Sequence, residues 1–191
     1  MKVYMRWMTK QLLIHSCFWS ILLCSAAGPV THKLLMEAVS SRLIAIKGLV
    51  DAIGTILVTA AFNKWGDKIY RHMRVIAIGE ILGYGALIIG VIAGTLSLTQ
   101  YFVLETLAWV LLTNLLICSN NKVKRYLYAA DEREKFDNNR SIAFSSACVI
   151  GNSIAMLSMP PAVAWSLFLL GIAIGNVFSV LAYNQARKVE Q

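Results

Sequence analysis

The chain has 191 residues, 58% of them hydrophobic and only 15% charged, with a mean hydropathy of +0.62. Soluble domains run near 45–50% apolar and about 25% charged, so composition argues against a soluble fold, a disordered chain and a nucleic-acid binder. The net charge of +8 lies in short blocks between long apolar runs, which places it in loops.

A bilayer core of about 30 Å needs about 20 apolar helical residues to cross it. By that measure the chain offers six spans, roughly 11–30, 43–62, 74–94, 99–119, 141–159 and 163–183. The first follows a basic start (Lys2, Arg6, Lys10) and reaches Ser25-Ala26-Ala27, which resembles a signal peptide. The apolar stretch runs on to Val30, however, and His15 and Ser16 interrupt its start, so a retained first helix is expected. Lys47 and Asp51 lie on the second span, Glu80 on the third, and Glu105 and Asn114 on the fourth. The fifth and sixth carry Asn152 and Asn176, with Pro160-Pro161 marking the turn between them.

Backbone polar groups in lipid must be satisfied within their own segment, so these spans read as helices. No short alternating segments of the β-barrel kind appear. The expected fold class is an all-α polytopic membrane protein, residues 1–191 forming one six-helix transmembrane domain. Cys17, Cys24, Cys118 and Cys148 sit in apolar runs without CxxC spacing, which implies neither a metal site nor a disulfide framework.

Loop charge sets the expected orientation. The N-terminal segment, the second-to-third loop (Lys64, Lys68, Arg71, Arg74), the fourth-to-fifth loop (Lys122, Lys124, Arg125, Arg133, Lys135, Arg140) and the C-terminal Arg187 and Lys188 hold fifteen of the eighteen basic residues. The opposite loops hold only Lys33 and Arg42. The positive-inside rule then puts both termini in the cytoplasm, in a membrane of the bacterial inner (cytoplasmic) type.

Glycines four apart let helix backbones approach closely, and three such pairs occur: Gly79/Gly83, Gly90/Gly94 and Gly171/Gly175. They read as packing positions within one bundle or as an interface with another chain. Ionisable residues inside spans are costly and are the default functional candidates. Lys47 and Asp51, four apart, share a helical face and can pair. Glu105 lies at a similar depth from the same side, where it can meet Lys47. Glu80 reads as snorkelling to headgroups or pairing with a loop cation, and His15 as a packing residue or a proton carrier. Asn114 and Glu105, nine positions apart, fall on opposite faces of an ideal helix. Tyr101 and Tyr183 suit an interfacial belt.

The loop Asn63-Lys64-Trp65-Gly66-Asp67-Lys68-Ile69-Tyr70-Arg71-His72 resembles the cytoplasmic signature of the major facilitator superfamily. Asp67, Lys68 and Arg71 match that pattern, while Asn63 and Tyr70 replace its two glycines and His72 replaces a basic residue. Ser40-Ser41 before the second span and the Asn120–Arg125, Asp131–Arg133 and Asn138-Asn139 clusters after the fourth resemble other parts of the family pattern. The antiporter Gly-Pro pair of the fifth helix is absent, Gly151 being followed by Asn152. The resemblance covers one six-helix half over almost the whole chain. It implies a cytoplasmic clamp in which Asp67 meets Lys122, Lys124 or Arg125. It also implies a cavity lined by the first and fourth helices, with His15, Glu105 and Asp51 as polar lining.

No HExxH, GxSxG or phosphate-cradling glycine loop occurs, so an enzyme is not expected, nor a cofactor. Two functional readings remain. One is a half-size transporter for a small molecule or peptide, acting in efflux as a homodimer or with a second membrane protein. The other is a non-transporting immunity or resistance protein that binds a toxin or a membrane partner.

Overall fold

The computed structural model describes residues 2–157 and 159–190, and no strand occurs among them. Seven α-helices follow in order: α1 (Lys2–Ala38), α2 (Ser41–Arg71), α3 (Met73–Ile92), α4 (Leu98–Ala108), α5 (Asn114–Leu127), α6 (Ala130–Ala155) and α7 (Pro161–Glu190). A π-helical turn, Trp109–Thr113, joins α4 to α5 into one continuous rod.

Five units are long and apolar enough to cross a membrane: α1, α2, α3, the α4–α5 rod and α7. The chain is therefore an integral membrane protein by the length and composition of its helices. The expected fifth span, 141–159, is shorter than the pattern suggested. Helix α6 devotes its first turns to charged residues and ends at Ala155, so the apolar part from Ser141 measures roughly 22 Å against a core of about 30 Å.

Two expected loops are helical instead. α1 runs through Lys33 to Ala38, with Thr31 bonding back to the carbonyls of Ala27 and Gly28 and Lys33 pairing with Glu37 one turn on. Only Val39 and Ser40 then remain before α2, and Ser40 caps that helix by accepting from the Leu43 N–H. At the other end α2 continues to Arg71, and His72 alone makes the corner into α3. Pro161 opens α7 at the first helical position, where a missing N–H costs nothing.

Helix α1 is the axis of the bundle, held between α6 and α7 by small residues. A Cβ added at Gly151 would come within 2.5 Å of the Leu22 carbonyl oxygen. At Gly171 it would lie 3.1 Å from the Ser20 carbonyl oxygen, and at Gly175 2.9 Å from the Ser20 Cβ. Ser16 adds a hydrogen bond to the Gly175 carbonyl at 2.8 Å. Of the three expected glycine pairs, Gly171/Gly175 thus makes a close helix crossing. Gly79 and Gly83 only touch Leu112 at 4.0 and 3.7 Å. Gly90 and Gly94 do not form a helix-packing pair. α3 ends at Ile92, Gly94 takes φ +70° in the turn, and Gly90 packs on Leu96 just beyond it.

The buried side chains form two clusters, one at each end. Leu13, Tyr70, Met73, Val123, Phe136 and Tyr183 belong to the first, and Leu87, Ile88, Tyr101 and Trp165 to the second. The basic segments gather at the first end. There the Tyr128 hydroxyl donates to the Arg6 carbonyl at 2.8 Å and Arg74 Nε donates to Asn184 at 2.7 Å. Tyr128 is a lasting donor because burial pushes its phenol well above the ordinary value. Tyr101 and Tyr183 are not belt residues: each is almost fully buried. Tyr101 stacks edge-on against Trp165 at 4.7 Å and Tyr183 against Tyr70 at 4.8 Å.

Candidate functional site

Three polar groups interrupt the apolar interior, and each joins different helices. The first is the ion cluster of α2 and α4. Lys47 Nζ lies 3.1 Å from Asp51 and 2.8 Å from Glu105, and 5.6 Å from the Phe102 ring centroid. The three side chains are 16–25% exposed. One ammonium therefore serves two carboxylates, and Asp51 Oδ1 is buried without a hydrogen-bond donor. His15 does not join this group. It lies on an exposed face of α1, its ring tilted against Phe178 at 5.8 Å.

Further along the α2–α5 seam, Thr55 donates to Asn114 Oδ1 at 3.4 Å. Glu105 and Asn114 thus face the same neighbour, contrary to the ideal helical wheel. The π turn between them explains this. It absorbs one extra residue, so nine positions turn the rod by about 80° past whole turns instead of about 180°. Val110, within that turn, leans on Gly54 of α2, where an added Cβ would meet its side chain at 2.4 Å.

The second group surrounds Glu80. Its side chain neither snorkels nor pairs with a loop cation: the residue is 5% exposed. Thr113 Oγ1 donates to one carboxylate oxygen, and Asn176 Nδ2 donates to the other at 2.6 Å. Asn176 also reaches the Ala77 carbonyl at 3.4 Å. Among the described residues no cation forms an ion pair with Glu80. The carboxylate borders a cavity of about 440 Å³. Ser16, Ser20 and Cys24 of α1, Asn120 of α5, Arg140 of α6 and Ser179 of α7 supply much of its polar lining. Asn120 donates to Ser179 at 3.1 Å, and Ser179 shares a 2.9 Å hydrogen bond with Ser16. The amphipathic pattern of the sequence could not reveal this site, because the carboxylate and its two donors come from three different helices.

The third group lies at the basic end. Asp67 pairs with Lys122, which also stands over the rings of Tyr70 (5.6 Å) and Phe62 (5.9 Å). Among the described residues Lys124 and Arg125 form no ion pair with Asp67. Lys124 is held by both carboxylate oxygens of Asp137 at 2.8 and 2.9 Å, one α-helical neighbour away. Arg125 lines a separate cavity of about 490 Å³ with Thr55, Asn63, Asn114 and Asn121. Lys68 and Arg71 are exposed, and the Arg71 carbonyl accepts from the Tyr183 hydroxyl at 3.3 Å. The Asp131 side chain of the same loop lies outside the described residues. Among the described residues no group of three metal-ligating side chains converges.

The Asp67 carboxylate is 77% exposed while Lys122 is 16% exposed, so water screens the pair and it is worth at most about 1 kcal/mol. Asp67→Asn should therefore lower thermal stability in mild detergent by no more than that, and adding Lys122→Gln should recover part of the loss. Lys124→Gln should recover none. Recovery by Lys124→Gln, and not by Lys122→Gln, would assign the clamp to the wrong lysine.

No family model, curated protein or solved structure matches this chain.

Proposed function

We propose that this bundle is one half of a small-molecule or peptide transporter of major-facilitator type, acting in efflux with a second bundle, either its own copy or a different half. The observation that carries the reading is the buried carboxylate of Glu80, without an ion-pair partner among the described residues, on a cavity bounded by α1 and the α4–α5 rod. The family resemblance assigns the transport path to those two helices. An ionisable side chain at that depth is expensive to keep and is the default candidate for a functional role.

The outer face of α6 supports a second bundle. Asn152 is exposed there with no side-chain hydrogen bond among the described residues, beside exposed Ser145, Ser146 and Ser153. An amide facing hydrocarbon lacks the partner it would find in water or on another helix. Alternating access also needs a second bundle to rock against. The orientation that suits the basic end of the molecule keeps that end, with both chain termini, in the cytoplasm of a bacterial-type inner membrane.

A single cysteine at Ser20→Cys, with the four native cysteines replaced, tests the reading. In a transporter this cavity position should react with a membrane-impermeant maleimide added to either face of oriented vesicles. Labelling from one face alone would overturn transport and favour the immunity or resistance reading, in which the cavity is a fixed receptor.

A further inference from the structure

We infer that the cavity beside Glu80 takes a hydrophobic organic cation, its charge against the carboxylate and its apolar body against Tyr84, Trp109, Phe144 and Phe168. The inference deepens the transport reading and rests on the same cavity.

Charge balance is the first argument. The two acids of the α2–α4 cluster share Lys47, and Asp67 has Lys122. Among the described residues Glu80 has neutral donors only, Thr113 and Asn176, which hold its two oxygens in place and bring no counter-charge. A carboxylate so placed is oriented by its neutral donors, and a ligand bearing positive charge would supply the counter-charge they lack.

The walls are the second argument. Four aromatic side chains line the same cavity, and ring faces attract cations more strongly where water is excluded. Its volume of about 440 Å³ falls within the roughly 300–1,000 Å³ of sites that hold drug-sized molecules. Chargeless polar groups (Ser16, Ser20, Asn120) could orient a ligand but do not select its charge.

Arg140 is the one cation of the lining. It also lines the adjoining recess formed with Asn121 and Lys124. Among the described residues it has no ion-pair partner. It therefore repels an incoming cation instead of holding it, and an anionic or zwitterionic ligand would show the opposite dependence on this residue.

Benzyltrimethylammonium, an aromatic quaternary amine, is the probe, with benzenesulfonate as the anion on the same ring. Equilibrium dialysis against the full chain in nanodiscs should show saturable binding of the amine and none of the sulfonate. Glu80→Gln should weaken amine binding on the order of tenfold or more, since the ionic contact with the carboxylate is lost. Arg140→Gln should leave it unchanged or tighter. Equal binding by Glu80→Gln, weaker binding by Arg140→Gln, preference for the sulfonate, or no amine binding by the wild type would each overturn the inference. Should Glu80→Gln fail to fold, protection of the Ser20→Cys thiol gives the second readout: the amine should slow its maleimide labelling, and an unchanged rate refutes the site. Failure here with two-face labelling intact refutes the cation alone. Cation binding with one-face labelling refutes transport and keeps the site.

Discussion

Lys47→Met should be among the most damaging single substitutions in the molecule. The side chain is the shared counter-charge of Asp51 and Glu105, at 3.1 and 2.8 Å, and all three groups are largely withdrawn from water. Removing it leaves two carboxylates facing each other across the α2–α4 contact with no cation. Breaking a buried ion pair from one side costs about 3–5 kcal/mol, a large part of the stability of an ordinary domain. The variant should be scarce in the membrane fraction or unfold at a clearly lower temperature. Adding Asp51→Asn and Glu105→Gln to Lys47→Met should restore most of the loss, because what hurts is the orphaned charge. A Lys47→Met protein as stable as the wild type would show that the cluster does not hold α2 to α4.

The second large effect belongs to Glu80→Leu. This residue accepts from Thr113 on the α4–α5 rod and from Asn176 on α7, so one carboxylate ties three helices together. Leucine fills similar space but leaves a half-buried hydroxyl and a buried amide without their acceptor. Each unsatisfied group costs about 1–3 kcal/mol, and the Asn176 contact to the Ala77 carbonyl, at 3.4 Å, recovers little of it. A combined loss of about 2–4 kcal/mol is expected in thermal or denaturant unfolding. Glu80→Gln keeps an acceptor and should cost under half as much. If leucine and glutamine are equally well tolerated, the three-helix junction is not a source of stability, and the polar lining of the cavity has no structural role.

These two acids show what could be read along the chain and what could not. Lys47 and Asp51 are one turn apart, and Glu105 stands at matching depth, so spacing and depth alone predict that they can meet. Nothing comparable marks Glu80. Its donors lie 33 and 96 positions away, on helices whose rotation about their own axes is not written in any local pattern. Clamp geometry divides in the same way. A basic cluster opposite Asp67 is legible, but which lysine reaches it depends on where Asp137 has drawn Lys124.

Composition and hydropathy by themselves determine that the chain is helical, that it belongs in a membrane, and that its basic residues collect at one end of the bundle. Those properties follow from runs of residues, and backbone hydrogen bonding in lipid leaves the helix as the solution for each run. The tertiary structure decided the rest. The π turn at Trp109–Thr113 adds one residue to a rod that an even 3.6-residue period treats as uniform, and so brings Asn114 round to the side of Glu105. Packing of Tyr101 and Tyr183 into the two end clusters removed them from the lipid boundary that their positions near span ends suggest. The early end of α6 at Ala155 shortened the fifth span and left Asn152 on an open face. Each of these outcomes depends on which neighbour a helix face meets, and close approach contributes to that choice at Gly151 and Gly171, where the absence of a side chain lets backbones come together, and at Gly54, which receives the Val110 side chain.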